Sequence, residues 1–142
     1  QAPTSSVIYL GNHAEVNGSN NYICYAWHSV DGYSKMGSYV GNGNADGPFI
    51  YTGFRPAYIL TKRHDGVTHW HIVDTERSAY NEMVIGLLAN TNDADSVSSV
   101  YGTDTTANGF KIRYTHAGSN ASGGNYIYMA FAETPFKYSN AK

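Results

Sequence analysis

Residues 47–74, GPFIYTGFRPAYILTKRHDGVTHWHIVD, constrain the fold of this chain more than any other stretch. Residues 58–63 and 68–74 are rich in β-branched and aromatic side chains, and the intervening His64-Asp65-Gly66 holds the Asp-Gly pair that favours a reversal between antiparallel strands. The pattern predicts a β-hairpin. Upstream, residues 49–54 alternate large apolar with smaller side chains, and Pro56 separates them from the next strand because proline has no N–H to offer a central ladder. Pro56 is therefore expected at a bend or an edge.

The rest of the chain repeats this strand character. Valine and isoleucine total 17 against four leucines, which favours strands because β-branched side chains are stiff at χ1 and pack well on a pleated surface. The expected class is all-β. At 142 residues the chain suits one domain, residues 1–142, large enough to bury a hydrophobic core without disulfides. The one cysteine, Cys24, sits among Tyr22, Ile23, Tyr25 and Ala26 and reads as a small core residue.

In chain order, residues 7–10 read as a short strand, 16–21 as a turn cluster, and 22–30 (YICYAWHSV) as a strand apolar on both faces, hence central or covered on both sides. Residues 33–40 form a weaker strand, and 41–48 a glycine-rich loop. Beyond the hairpin, Tyr80, Met83, Val84, Leu87 and Leu88 are spaced for a short helix near 79–88, the only one expected, which Gly86 and the Val84-Ile85 pair weaken. Residues 90–99 are a polar loop. Residues 100–101 and 108–114 resume strand character around a turn at 103–107, and 125–132 (NYIYMAFA) form the last long strand. Pro135 closes the core, with the tail from residue 133 along the surface.

A shift of 104 residues aligns Asn21-Tyr22-Ile23 with Asn125-Tyr126-Ile127, Ala26 with Ala130, Trp27 with Phe131 and Ile8 with Ile112. Residues 1–30 thus read either as the closing strand pair of a preceding, similar unit in a longer protein or as a second copy of that pair inside one sandwich.

Charge excludes some functions. With a net charge of −2 and only 14% charged residues, the nine Lys and Arg are scattered, which argues against nucleic acid as a partner. No stretch approaches the ~20 apolar residues of a membrane span. Polarity comes instead from 13 Tyr, 15 Gly and many Asn and Ser, a surface suited to sugars or sister subunits.

Four constellations could carry chemistry. His69 and His71 flank Trp70 on an expected strand, so both imidazoles would share one face and could chelate a transition metal; the plainer reading puts them on a sheet surface while Trp70 and Ile72 fill the core. Asn42-Gly43-Asn44-Ala45-Asp46-Gly47 matches the start of a calcium loop, but Gly53 stands where a bidentate Glu is required, so a plain turn outweighs the ion and no cofactor is expected. Tyr33 and Tyr39 with Asn42 and Asn44 could form a sugar platform, rings stacking on the sugar and amides reading its hydroxyls, against the alternative of structural tyrosines at strand ends. Asp74, Glu76 and Glu82 could be imagined as a glycosidase pair, although Asp74 with Arg77 better explains the hairpin exit. No nucleophile elbow, activated cysteine or H-E-x-x-H occurs, so the chain is not expected to be an enzyme.

Several segments together carry a family resemblance: residues 32–39 (GYSKMGSY), Gly41-Asn42-Gly43 with Asp46-Gly47-Pro48-Phe49, residues 51–57 (YTGFRPA), Trp70 with Asp74 and Arg77, and residues 126–136 (YIYMAFAETPF). From about Tyr22 to Lys142 the chain resembles a domain found near the C-termini of tailed-phage virion proteins, often those of marine phages and described as tail-fibre or structural proteins. The resemblance implies a lectin-like antiparallel β-sandwich of jelly-roll type and a virion component assembled in a bacterial host cytoplasm, which suits a lone free cysteine. It implies no catalytic residues. The expected role is a tail-fibre or other exposed appendage protein that assembles as a homo-oligomer with other virion proteins and attaches to host-surface polysaccharide. The alternatives are a capsid decoration or filament subunit with a purely structural role and, from another class, a glycan-degrading enzyme.

Overall fold

The computed structural model describes Ala2 and residues 4–134; the expectations for Pro135 and the tail after it lie outside the described residues. The described residues form nine strands: β1 (Ser34–Val40), β2 (Phe49–Tyr51), β3 (Pro56–Arg63), β4 (His71–Asp74), β5 (Ile85–Leu88), β6 (Ser96–Val97), β7 (Thr103–Thr106), β8 (Gly109–Ile112) and β9 (Asn125–Ala132). One four-residue helix, α1 (Ala14–Asn17), and a 3-10 turn at Ser99–Tyr101 complete them. Every strand pairing is antiparallel. A six-stranded sheet runs β1-β9-β3-β4-β5-β6, and a three-stranded sheet runs β2-β8-β7. The chain is an antiparallel β-sandwich.

The hairpin forms as expected, with Ile59 opposite Val73 and Thr61 opposite His71. Its connection is longer than a tight turn because β4 begins at His71, not at residue 68. Pro56 is the first residue of β3 and is followed by a bulge against β9, a place where a missing N–H breaks no ladder. The stretch that organises the sequence also links the two sheets, since β2 lies in the small sheet and β3 and β4 in the large one.

The two inner faces meet on aromatic rings. Along β9, Tyr126, Tyr128 and Ala130 point inward and are buried. Tyr39 of β1 stacks on Tyr126, and Phe110 of the small sheet meets the Tyr128 ring edge-on at 5.4 Å between centroids. Ile50, Ile59, Val73, Met83 and Ile112 fill the space around them. Gly37 is where the Tyr128 ring crosses β1: a Cβ there would sit 2.8 Å from two of its atoms.

Several expectations are corrected. Residues 22–30 form no strand and stay exposed, because both positions beside β9 are taken by β1 and β3. Residues 7–10 are likewise exposed and strandless, and Cys24 is exposed. The 104-residue sequence repeat is therefore not repeated in conformation: Ile112 is buried in β8 while Ile8 is 58% exposed. The helix expected near 79–88 is absent; Ile85–Leu88 is β5, paired with β4, and the one helix is α1. The turn expected at 103–107 is instead largely β7, with the reversal at Ala107-Asn108.

Candidate functional site

Pairing register places one outward-facing residue from each of five strands in a single row. Met36 of β1 lies opposite Met129 of β9, Met129 opposite Leu60 of β3, Leu60 opposite Ile72 of β4, and Ile72 opposite Leu87 of β5. Their neighbours along each strand, such as Tyr128, Ile59, Val73 and Gly86, face the core, so by strand alternation this row faces away from it. The large sheet thus carries an apolar stripe on its outer face. Met36, Leu60, Ile127 and Met129, with Trp70 from the hairpin loop, border a groove of about 270 Å3 on that face. The five side chains are half-buried, and among the described residues no second sheet packs on this face; such an apolar sheet face marks an interaction surface.

The second unpartnered apolar feature is the arm before β1. Every described residue before Asp31 is exposed. Among them, Ile23 is 81% and Tyr25 74% exposed, and Trp27 is also exposed. Tyr25 and Trp27 stack at 6.0 Å between centroids, which puts both rings on one side of the segment. The arm meets the body at the free edge of β1: Val30 bridges to Ser34, Met36 N donates to Ser29 Oγ at 3.0 Å, and Ser34 Oγ donates to His28 O at 3.0 Å.

A third feature is a cleft of about 360 Å3 lined by His69, His71, His116 and Asn90. The structure brings His69 and His71 to one cleft but not to one strand face, since His69 precedes β4 and is exposed. Here the plain expectation is reversed: His71 points into the core side while Trp70 and Ile72 point out, because the register with buried Ile59 turns Val73, and with it His71, inward. His69 Nδ1 lies 3.1 Å from Asn90 Nδ2, and His116 Nδ1 accepts from Gly118 N at 3.2 Å. Burial, reinforced by His116, His69 and Lys62, pushes the His71 imidazole down to about 4. Among the described residues His71 Nδ1 and Ser119 Oγ are buried without a partner, and the two residues line a small cavity of about 10 Å3 between the sheets, room for roughly one water. Among the described residues no cluster of three or more His, Cys, Asp or Glu is arranged to hold a metal.

The asparagine loop is built for itself. Asn42 Oδ1 accepts from Asn44 N, Asn44 Oδ1 accepts from Asp46 N, and Asn42 Nδ2 donates to Asp46 O, each at 2.9 Å. Asp46 faces Lys111 at 2.8 Å and Arg113 at 3.7 Å. The Lys111 hydrogen bond and charge hold its carboxyl below the usual range, so the oxygens suited to calcium already serve the loop and two cations. Asn120, fully buried, locks this loop to the next: its Oδ1 accepts from Asn42 N, and its Nδ2 donates to Asn44 O and Tyr114 O.

Of the two tyrosines read as a sugar platform, Tyr39 is buried, its hydroxyl donating to Ser119 O at 2.8 Å, so its ring is closed to a ligand. Tyr33 is exposed and packs edge-on to Phe131. Asp74 caps the hairpin exit as expected, accepting from Glu76 N and Arg77 N and pairing with the Arg77 guanidinium.

Reasoning from the sequence missed the stripe, because apolar residues on strands read first as core. The available signal was β9 itself, whose apolar residues on both faces call for cover on both faces.

Fold and surfaces together define a β-sandwich module whose unpartnered apolar features are a sheet face and an arm. A family model described as a domain of unknown function (DUF7483) matches residues 1–135, and the chain belongs to that family. Arm and sandwich both fall inside the matched span. No curated protein and no solved structure gave a match. No helix among the described residues is long and apolar enough to cross a membrane.

Proposed function

We propose that this chain is a structural subunit of a phage particle, part of a tail fibre or another exposed appendage, which works by assembling with further copies of itself and with other virion proteins. The observation that carries the reading is the pairing of an exposed apolar arm with a half-buried apolar sheet face on which no second sheet packs among the described residues, two surfaces that water disfavours and that association would remove from it. The resemblance to virion proteins of segments within residues 32–57, of Trp70 with Asp74 and Arg77, and of residues 126–136 supplies the setting. The proposal includes no catalysis, and Asp74, one of the three carboxylates of the imagined glycosidase pair, is engaged by Arg77 and two backbone N–H groups. Any attachment to host polysaccharide would not use the Tyr39, Asn42 and Asn44 group, since Tyr39 is buried and Asn42 and Asn44 hold their own loop.

Immunogold electron microscopy of purified particles whose genome encodes the chain tests the reading. Label on a tail or fibre supports it, label spread over the capsid favours the decoration alternative, and particles that lack the chain overturn both.

A further inference from the structure

Resting on the assembly reading above, we infer that the arm of one copy seats Ile23, Tyr25 and Trp27 on the apolar stripe of a second copy. The two surfaces match in chemistry. Residues 2–30 carry one formal charge, Glu15, and Met36, Met129, Leu60, Ile72 and Leu87 carry none. They also match in size. Alternate residues of an extended segment lie about 6.6 Å apart, so Ile23 to Trp27 span about 13 Å, and a row across five strands spans about 19 Å. An arm of this length offers the roughly 20–30 residues a side that a stable protein interface uses.

The occupant is a second copy because of how the arm leaves the body. The chain reverses at Asp31-Gly32 and runs back beside the free edge of β1, held by the Val30–Ser34 bridge and by the bonds of Ser29 and Ser34. Residues 28–30 therefore depart along the sheet edge, in its plane. In the copy itself, with those bonds in place, residues 23–27 do not lie on the stripe: Ile23, Tyr25 and Trp27 are all exposed and none of them borders the groove. A neighbouring copy can receive the arm with those bonds intact. The apolar character of 22–30, which reads as a strand covered on both faces, is then explained by cover from a second copy.

Cys24, the one cysteine, is exposed within the arm and supplies the test. The whole chain with Cys24 is mixed with a second whole chain carrying Cys24→Ser and Ser38→Cys, and treated with a short bismaleimide. Ser38 is exposed on β1 two residues from Met36. The expected product is a mixed cross-linked dimer, whose yield falls at least about ten-fold when the Cys24 chain also carries Trp27→Ser, as for truncation of a buried aromatic anchor. Light scattering on the same samples separates the failures. An oligomer without the mixed link overturns the arm exchange and leaves the assembly reading standing. A chain that stays monomeric overturns both. A link formed only within one copy, in a chain that has both Cys24 and Ser38→Cys, shows the arm on its own body and also overturns the inference.

Discussion

Tyr39 and Tyr126 stack across β1 and β9 with centroids 4.9 Å apart and planes 10° from parallel, and both hydroxyls reach past the core to the same loop. Tyr39 donates to Ser119 O, while Tyr126 donates to Ala117 O and accepts from Ala121 N, each at 2.8 Å. The buried pair therefore fastens the segment between β8 and β9 to the large sheet. Tyr126→Phe keeps the ring and deletes only the hydroxyl, with an expected loss of about 1–2 kcal/mol. Tyr126→Ala also empties the centre of the core and should cost about 3–5 kcal/mol. Urea unfolding of the two variants checks the order; equal losses would mean that the hydroxyl, not the ring, carries the contribution.

Asn120 fastens the same segment from the other side. It is fully buried and matches both a donor, Asn42 N, and acceptors, Asn44 O and Tyr114 O. Asn120→Ala leaves these groups unpaired and should destabilise by about 2–3 kcal/mol. Asn120→Asp preserves shape but turns a carboxylate oxygen toward two carbonyl oxygens, so at neutral pH it should be worse than alanine. Unfolding measured at neutral and at acid pH tests this, because protonating the aspartate restores a donor and should narrow the gap between the two variants.

How far the sequence could be read depends on where each residue finds its partner. Strand β9 is legible from NYIYMAFA because its partners are in the chain on both sides. The segment YICYAWHSV is similarly apolar and aromatic and reads as a strand for the same reason, yet it finds no place beside β9. Pattern reports the need for burial, not its source. The helix expected near 79–88 failed on tertiary context: Gly86 lies under the Tyr101 ring and Leu88 opposite His71, and both contacts need an extended chain. His116 was overlooked because its only link to His71, with ring centroids 5.6 Å apart, is spatial.

His71 predicts a pH dependence of stability. Its imidazole, buried on the core side of β4 and flanked by His116, His69 and Lys62, is pushed down to about 4 from its ordinary 6.5. Between those values the unfolded chain binds a proton that the folded chain refuses. Stability should therefore be complete above about pH 6.5 and fall as pH drops toward 4, by at most about 3 kcal/mol from this group. His71→Gln removes the titration. Chemical unfolding across pH 4–7 should show a slope in the parent that is flattened in the variant, and parallel slopes would assign the effect to other groups.

Gly86 tests the seat of the Tyr101 ring. A Cβ at Gly86 would be driven into that ring, which is buried against β5, so Gly86→Ala must displace it or bend the strand. The expected cost is about 1–3 kcal/mol, despite the general gain of alanine over glycine in a strand. Gly11→Ala is the control: nothing lies within 4 Å of its Cβ, and a change of no more than about 0.5 kcal/mol is expected. The cause is isolated by adding Tyr101→Ala. If the clash is responsible, Gly86→Ala should cost much less once the ring is gone, giving a coupling of about 1 kcal/mol or more in a double-mutant cycle. Strict additivity would place the cost in the β5 backbone instead of in the ring.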